Sequence, residues 1–539
     1  MSDPASSRLE SSKIQAGYRS SVGDIAGQLN RFAQGMHPVA ADFMGSAASM
    51  QEHVADVVRP FNVAVFGRMK TGKSSLINAL VGRRLAVTGV DEATATINRL
   101  TFASGAEQLG NFKVHWLDAS PESFPVSQLK TDWNGKEPEV LARIKRVKYL
   151  ELFADAEWLR DVQVTDTPGT GSTASEHEDV AQQFINGKSS DALIYVFPPV
   201  GRETDGKDLE SYRRGCLPGS TPYNSVAVLH KWDDIFWGNG GDWGDICAKA
   251  ARLHEQMSSL VAEVVPVSGP LALVAQAATP DFWDAACGLL ATFPDEGALK
   301  GVLMADRLWK IKPAQGSLYE RAHEDYDMPW ASFRIMLREL YRRQCRTAED
   351  ARSCITALSG IDNLRKTLDK RFFKQAAIIH LRRTRSLVRD DVEKIRMTMH
   401  TADEALAADS SMLDEVANAL NDERLRRWVE NRALKLHGQR QSLRAAAVKI
   451  DRLICETQHA IQLADDAVEL VPWLEENASL FTDRCQVAEL VSLLRDGVPI
   501  PMEHFEALYR HVSGLAQHQD IGIRAMGRKL QAIVMNSVQ

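Results

Sequence analysis

A glycine-rich segment near the start of the chain constrains its fold more than any other feature. Residues 61–66 form an apolar run that is typical of a buried strand, and residues 76–80 follow a helical pattern. Between them, residues 67–74 have the spacing G-x-x-x-x-G-K-S of a phosphate-binding loop. Strand, loop and helix in this order predict an α/β domain that binds a nucleoside triphosphate.

The side chains of this loop suit a polyphosphate. Gly67 and Gly72 allow the backbone turns that bring consecutive N–H groups around a phosphate. Lys73 can reach the β- and γ-phosphates, and the Ser74 hydroxyl can bind Mg²⁺. The predicted nucleotide contacts in the loop are Gly67, Met69, Lys70, Thr71, Gly72, Lys73, Ser74 and Ser75.

A second apolar strand, residues 162–165, runs into the sequence D-x-P-G. Asp166 can supply a carboxylate to the Mg²⁺ shell, and the N–H of Gly169 can bind the γ-phosphate. Taken alone, this sequence is equally typical of an ordinary turn. Its position after a strand makes the phosphate-site interpretation the one to test.

A third strand, residues 225–229, leads into a candidate base-binding element. His230, Lys231 and Asp233 match the guanine-binding pattern N/T-K-x-D, with histidine at its first position. The Asp233 carboxylate can accept hydrogen bonds from N1 and the exocyclic amine of guanine, a pair of donors that adenine lacks at these positions. The Lys231 stem can cover the base.

Residues 264–267 form a fourth strand, and the turn at Ser268 and Gly269 lies where the last base-contacting loop of a GTPase is expected. Each of the four elements follows an apolar strand, at the end where ligands bind in an open α/β sheet. Their order favours a site for GTP or GDP with Mg²⁺ over a set of unrelated turns.

The loop between the first helix and the second strand carries the pattern T-x-V-x-x-x-T-A over residues 88–95, and here the chain resembles the dynamin superfamily, most closely bacterial dynamin-like proteins. By this resemblance Thr94 completes the Mg²⁺ shell and helps to position the attacking water, with Thr96 as the alternative. Residues 359–364 are similar to the start of the helix that closes the GTPase domain in this superfamily. The resemblance is specific over about residues 60–270 and loose elsewhere.

The chain departs from related GTPases at two places. Met69 and Lys70 stand where the family's loops often carry small or polar side chains. Lys70 is a candidate for a contact across a GTPase dimer or with the phosphates, and a solvated lysine is the alternative. Thr170 follows Gly169, so the water-orienting glutamine of small signalling GTPases is missing and slow turnover is expected for the monomer. The predicted catalytic residues are Lys73, Thr94, Gly169 and Lys70, and the predicted Mg²⁺ ligands are Ser74, Thr94 and Asp166.

Composition bounds the remaining possibilities. A chain of 539 residues is too long for one core, which predicts two or three domains. The formal net charge of −7 gives no overall attraction to nucleic acid or to anionic lipid. The seven cysteines are scattered without a C-x-x-C pattern, which predicts reduced thiols in a cytoplasm. No apolar run approaches 20 residues, so we expect at most a peripheral contact at the inner face of the membrane.

Changes in periodicity divide the chain into segments. We expect disorder over 1–12, N-terminal helices over 13–58, a dynamin-type GTPase domain over 59–375 with a helical insertion at about 270–358, and a helical bundle over 376–539. Apolar residues recur at heptad spacing from 388 to 406 and from 443 to 471, which predicts long helices packed side by side. A helix over about 361–407 would be about 70 Å long. The alternative is a globular helical domain with kinked helices.

The N-terminal helices have no core of their own, so we expect them to join this bundle and to make an elongated all-α stalk. Two segments are candidates for membrane contact: the apolar loop 496–502 and the basic stretch 380–385. For each, a structural alternative is favoured: an inter-helix turn for the loop and a solvated helix face for the basic stretch.

Two functions agree with these observations. The first is a dynamin-like GTPase that hydrolyses GTP with Mg²⁺, self-assembles through its stalk and GTPase domains, and remodels or protects membranes; a related dynamin-like partner subunit is compatible with it. The second is a GTP-dependent switch or scaffold whose helical domain binds a protein partner without lipid activity. Neither requires nucleic acid.

Overall fold

The computed structural model describes residues 45–53, 59–85, 97–131, 133, 138–167, 190–199, 221–233, 242–304, 313–496 and 500–537, with some positions of the 207–217 segment. A few positions inside these ranges, Met69 among them, lie outside the described residues. The described residues also exclude Thr94, Thr96, Gly169 and residues 1–44. The expectations of disorder over 1–12 and of helix over 13–44 therefore lie outside the described residues.

The chain divides into two compact units. The first spans Pro60–Ala376, and the second combines the described residues up to Arg59 with Ala377 onward.

Strands among the described residues of the first unit form one mixed sheet. They are β1 (Phe61–Phe66), β2 (Asn98–Phe102), β3 (Asn111–Trp116), β4 (Glu122–Pro125), β5 (Val147–Ala154), β6 (Val162–Asp166), β7 (Ala192–Phe197), β8 (Ser225–His230) and β9 (Glu263–Val267). Their order in the sheet is β4-β3-β5-β2-β6-β1-β7-β8-β9. The half from β6 to β9 is parallel, β2 pairs antiparallel with β6 and parallel with β5, and β3 is antiparallel to both β5 and β4.

The central strands explain why the sequence gives a parallel sheet. Every residue of β1, β7 and β8 is buried, as expected for strands that are covered on both faces. At one edge, β4 has mostly exposed residues and no apolar run, so the sequence carries no signal for it.

The described helices of the first unit alternate with the strands as far as β9, and after β9 they follow one another without further strands. They are α1 (Lys73–Val81), α2 (Ala106–Leu109), α3 (Gln128–Thr131), α4 (Pro138–Ile144), α5 (Trp243–Met257), α6 (Gly269–Ala277), α7 (Pro280–Leu290), α8 (Glu296–Met304), α9 (Pro313–Tyr326), α10 (Trp330–Arg342), α11 (Ala348–Ser359) and α12 (Ile361–Arg371). Helices α7, α9 and α10 share one hydrophobic core with β7 and β8, in which Phe282 meets Trp283 and Tyr326 edge to face.

The second unit is helical throughout its described residues after Ala377. Its helices are α13 (Ala376–Ala419), α14 (Glu423–Glu476), α15 (Arg484–Asp496), α16 (Met502–Leu515) and α17 (Ile521–Asn536). With 44 and 54 residues, α13 and α14 are about 66 and 81 Å long at 1.5 Å per residue. Together with the mixed, mostly parallel sheet of the first unit, these helices confirm the predicted fold class of an α/β domain with a long helical region.

The predicted heptad seams lie inside the second unit. Val388, Val392, Ile395 and Met399 of α13 are buried in one cluster with residues of α14 such as Ile450. Met50, which precedes the sheet in sequence, belongs to the same cluster. The Ser49 hydroxyl donates to the buried Asp391 carboxylate of α13 over 2.9 Å, so a described part of the N-terminal segment packs on this helix.

The structure corrects the predicted helix over 361–407. Helix α12 ends at Arg371, a short 3-10 turn occupies Phe373–Gln375, and α13 then runs to Ala419. Phe372 is fully buried, and Phe373 stacks on Trp158, whose ring centroid lies 5.6 Å away. These aromatic contacts compete with a continuous helix, which the apolar periodicity alone could not reveal.

The structure also changes the interpretation of both candidate membrane segments. Residues 380–384 are buried, with Arg382 paired to Asp465 of α14, so this stretch is neither a lipid patch nor the solvated face that the sequence favours. Ile500 is buried in the core formed by α14–α17, while Met502 is exposed and Val498 lies outside the described residues. Across the part of the chain that is described, we find no helix with the length and apolar character needed to cross a bilayer.

Gly360, between α11 and α12, provides a test of the packing that closes the first unit. Its φ is 74°, and a Cβ there would lie 2.1 Å from the carbonyl oxygen of Pro266 at the end of β9. We expect Gly360→Ala to lower the free energy of unfolding of this unit by about 2 kcal/mol or more, because it combines a left-handed conformation with a clash against backbone. Urea-induced unfolding measures this change.

The matched control is Gly288→Ala in α7 of the same unit. A Cβ at Gly288 meets nothing within 4 Å. The free energy of unfolding of this variant should therefore rise by about 0.5–1 kcal/mol, because alanine has the higher helix propensity. Equal effects of the two substitutions would contradict the proposed role of the Gly360 backbone.

Candidate nucleotide site

The loop between β1 and α1 is held in shape by its two predicted glycines. A Cβ at Gly67 would lie 2.3 Å from the carbonyl oxygen of Val196 on β7, and its φ is 156°. Gly72 has a φ of 99°, and a Cβ there would lie 2.4 Å from the ring of His230. Both positions therefore need glycine, because a side chain would push the loop away from the strands that support it.

Lys73, Ser74 and Asp166 converge at this loop. The Lys73 ammonium donates to the carbonyl oxygens of Gly67 at 3.0 Å and Arg68 at 3.2 Å. The Ser74 hydroxyl donates to Oδ2 of Asp166 over 3.1 Å. All three side chains are buried, so the loop brings a cation, a hydroxyl and a carboxylate together out of bulk water.

Burial governs the electrostatics of this group. It lowers the pKa of Lys73, and the charge of Asp166 opposes the shift. It raises the pKa of Asp166, and Lys73 and the Ser74 hydrogen bond oppose that shift. Each charge is therefore disfavoured alone and stabilised by the other, as expected for ionised groups in a low-dielectric site.

The residues present fit a divalent cation such as Mg²⁺. Oδ1 of Asp166 is buried and has no hydrogen-bond partner among the described residues, and the Ser74 hydroxyl lies beside the same carboxylate. Mg²⁺ bound with a nucleotide takes one or two protein oxygens and completes its shell with phosphate and water. Within the described residues there is no group of three or more histidine, cysteine or acidic side chains that would hold a metal by protein ligands alone.

His230 connects this loop to the turn after β9. Its ring is buried between Gly72 and Gly269, and Nε2 accepts a hydrogen bond from the Gly269 N–H over 3.1 Å. Burial lowers the pKa of His230 to about 3; the charge of Lys231 adds to this shift and the Thr71 backbone opposes it. The ring is therefore neutral at ordinary pH and carries its proton on Nδ1, since Nε2 is the acceptor.

Asp233 is held by serines from two different helices. The Ser268 hydroxyl, at the N-cap of α6, donates to Oδ2 of Asp233 over 3.0 Å. The Ser332 hydroxyl, in the first turn of α10, donates to the same oxygen. Next to Asp233, Trp232 is fully buried and meets Trp243 edge to face at a centroid distance of 5.3 Å. The carboxylate thus has a defined orientation inside the protein.

Two lysines of the predicted site have uncommon backbone angles. Lys70 has a φ of 62° and Lys231 a φ of 58°, in the left-handed region that non-glycine residues seldom adopt. Such strain is concentrated at ligand sites, where the surrounding structure maintains it.

The predicted site residues fall into three groups. One group lies at the phosphate loop: Gly67, Lys70, Thr71, Gly72, Lys73, Ser74, Ser75 and Asp166. A second group lies at the carboxyl ends of β8 and β9: His230, Lys231, Asp233, Ser268 and Gly269. The contact between His230 and Gly72 joins these two. Met69, Thr94 and Gly169 form the third group, outside the described residues.

Sequence reasoning missed Ser332. It lies 99 residues after its partner Asp233, and no local pattern connects the two. The one available signal was a serine among Phe333, Ile335 and Met336 on the apolar side of an amphipathic helix, where a buried hydroxyl needs a partner.

Known proteins of one family are similar to this chain. The model of the dynamin family matches residues 63–210. The isoniazid-induced protein IniC of Mycobacterium tuberculosis is 27% identical over 234 residues, which are 41% of this chain and 45% of that protein. A bacterial dynamin-like protein of Nostoc punctiforme is 23% identical over 266 residues, 45% of this chain and 36% of that protein. The chain therefore spans less than half the length of these curated relatives.

Among solved structures, a chain of an oligomerised bacterial dynamin pair, described as a mechanism for the long-range sensing and tethering of membranes, aligns with 96% of this chain and 94% of its own length. The identity is 14% and the TM-score is 0.33. Residues 63–210 therefore match the dynamin family of GTPases, and the chain is similar to bacterial dynamin-like proteins.

Proposed function

We propose that this protein binds and hydrolyses GTP with Mg²⁺, self-assembles, and acts at the inner face of a membrane as a peripheral protein. The observation that carries the proposal is the buried contact of His230 with both Gly72 and Gly269, which joins a phosphate loop to a base-selecting carboxylate in one site. A chance glycine-rich turn would not be joined in this way to the ends of β8 and β9.

Each side chain of the phosphate group has a role in this proposal. The backbone N–H groups between Gly67 and Gly72 bind the phosphates, and Lys73 exchanges its contacts with the loop carbonyls for phosphate oxygens. Ser74 and Asp166 hold Mg²⁺, with Thr94 completing the shell by the family resemblance. When bound, the cation neutralises charge that develops on the phosphates.

The base-side group selects guanine in this proposal. The Asp233 carboxylate accepts from N1 and the 2-amino group of guanine, and the Lys231 stem covers the base. His230, which stands where relatives often carry asparagine or threonine, does not contact the base; it maintains the distance between the phosphate loop and the turn at Gly269.

Asp233→Asn tests the base assignment. The amide presents a donor where the carboxylate presented an acceptor, so we expect the variant to prefer XDP, whose 2-oxo group is an acceptor, over GDP. Wild-type protein should bind GDP far more tightly than ADP, and titration with ribose-labelled fluorescent nucleotides measures both preferences. Equal affinity of the wild-type protein for ADP and GDP would refute the guanine site.

Self-assembly follows from the chemistry that the chain lacks. No glutamine follows Gly169 to orient water, so we infer that Thr94 and a second GTPase domain complete the catalytic geometry. Lys70 is the candidate for that contact, because it is exposed on the phosphate loop with a strained φ of 62°.

We expect the GTPase activity per molecule to rise with protein concentration, and GDP with aluminium fluoride to promote dimers. Lys70→Ala should reduce this rise, while Lys73→Ala serves as the inactive reference. Steady-state hydrolysis over a hundredfold concentration range, about two decades of a dimerisation isotherm, and light scattering measure the effects. Constant specific activity with a monomer in aluminium fluoride would favour the solitary switch instead.

The membrane-facing surface in this proposal is the hairpin end formed by α13 and α14. Large apolar side chains point outward there, with Trp428 66% and Leu434 74% exposed, and Met412, Val416 and Leu425 are also exposed. The interior of the same hairpin end buries mainly smaller residues such as Ala417, Val429 and Ala433. Folding alone favours the opposite arrangement, so the outward side chains indicate a partner surface.

The α14 side of this hairpin end favours lipid as that partner. Residues 423–435 of α14 contain five basic and two acidic side chains, a formal net charge of +3, whereas residues 409–422 contain four acidic and no basic side chains, so the basic surface is confined to α14. Exposed tryptophan and leucine alternating with arginine and lysine are typical of helices that lie in the interface of an anionic membrane. A protein partner at the same surface is the alternative function.

Co-sedimentation with vesicles of phosphatidylglycerol and phosphatidylcholine distinguishes the two. We expect Trp428→Ser to weaken vesicle binding about tenfold, because at least about 1.5 kcal/mol of apolar transfer free energy is lost. Val448→Ser is the matched control: Val448 lies on the same helix, is 70% exposed, and lies outside this hairpin end. If wild-type protein stays in the supernatant with and without a non-hydrolysable GTP analogue, the lipid assignment is wrong and the scaffold function replaces it.

A further inference from the structure

Asp233 has a second buried contact that the nucleotide motifs do not contain. Ser268, its first partner, belongs to the turn after β9, which the sequence already places beside the base. Ser332 belongs to α10, in the helical region after the sheet, and its hydroxyl donates to the same Oδ2 atom. The selecting carboxylate is thus held from two directions.

The environment of this contact favours a carboxylate. Pro329 stands at the N-cap of α10 and provides no side-chain acceptor for the first turn of the helix. The positive end of the helix dipole therefore faces the region that the Asp233 oxygen enters. Ser268 is itself the N-cap of α6, so the first turns of two helices and two hydroxyl donors converge on one oxygen.

The geometry also restricts how the carboxylate can turn. Ser268 and Ser332 both bind Oδ2, and Asp233 is 2% exposed. Two hydroxyl donors from separate helices restrict the rotation of the carboxylate plane more than either donor does alone. Simultaneous acceptance from N1–H and the 2-amino group of guanine depends on a fixed plane, whereas a single N1–H contact tolerates rotation.

We propose that Ser332 is a positioning residue for Asp233, and that α10 thereby takes part in selecting a purine with a 2-amino group. Ser332 does not touch the nucleotide; it acts through the carboxylate that does. The inference rests on the proposed function, since it requires Asp233 to bind the base.

The test compares GDP with IDP, whose base differs from guanine only by the missing 2-amino group. In wild-type protein, GDP should bind more tightly than IDP. Ser332→Ala should weaken GDP binding about tenfold and IDP binding about threefold, because a mobile carboxylate loses the second contact before the first. The preference for GDP over IDP should therefore fall about threefold, a change of about 0.7 kcal/mol.

Two controls separate positioning from a general structural effect. Ser225→Ala removes another fully buried serine hydroxyl of the same unit, one that has no hydrogen-bond partner among the described residues, and should leave both affinities unchanged. Ser332→Thr keeps a donor at the position and should restore much of the preference. It also provides a second variant if Ser332→Ala does not fold, as judged by circular dichroism.

The possible outcomes separate the role of Ser332 from the guanine site itself. Equal weakening of GDP and IDP in Ser332→Ala, or no weakening of either, overturns the role of Ser332 while leaving the guanine site intact. Failure of Ser332→Thr to retain more preference than Ser332→Ala also overturns it. Wild-type protein with no preference for GDP over ADP overturns the proposed function itself.

Discussion

One buried imidazole ring connects the phosphate loop to the turn after β9. The phosphate loop and the turn after β9 come from distant parts of the sequence, and His230 fills the space between them. Its ring leaves no room for a side chain at Gly72, and its Nε2 atom accepts from the Gly269 N–H. The guanine-binding pattern has asparagine or threonine at this position, and both side chains are shorter than histidine. The larger imidazole ring therefore sets the distance between the loop and the turn. Because the ring is buried and its pKa is about 3, it can make this contact without carrying charge.

The other charged groups of the site are stabilised by partners of specific kinds. Lys73 and Asp166 are both buried, and each charge stabilises the other. Lys73 also donates to backbone carbonyl oxygens, and Asp166 accepts from the Ser74 hydroxyl. Asp233 is buried and accepts hydrogen bonds from two serine hydroxyls. Neutral hydroxyl donors orient a carboxylate without neutralising its charge, whereas Lys73 offsets the charge of Asp166 directly.

The parts of the molecule that the sequence predicts are those whose geometry is local. The loop from Gly67 to Ser74 lies within one strand-loop-helix unit, so its spacing is sufficient to identify it. The fold class followed from central strands such as β7, whose six residues are all apolar and all buried. The contact of Ser332 with Asp233 has no local signal, because it depends on how α10 packs against the end of β8.

The two predictions that the structure corrects, for the basic stretch 380–385 and for the helix over 361–407, were wrong for the same physical reason. The basic stretch 380–385 has the composition of a solvated helix face, but residues 380–384 are buried, and Arg382 pairs with Asp465, which lies 83 residues away in the sequence. The break after Arg371 is decided by the packing of Phe372 and Phe373, which the apolar period of the helices does not encode. Pairing between distant residues overrides local pattern in both cases. The hairpin end of α13 and α14 shows the converse. Trp428 and Leu434 are residue types typical of a core, yet both face outward, so the fold of this chain does not account for them, and this is why we propose a partner surface there.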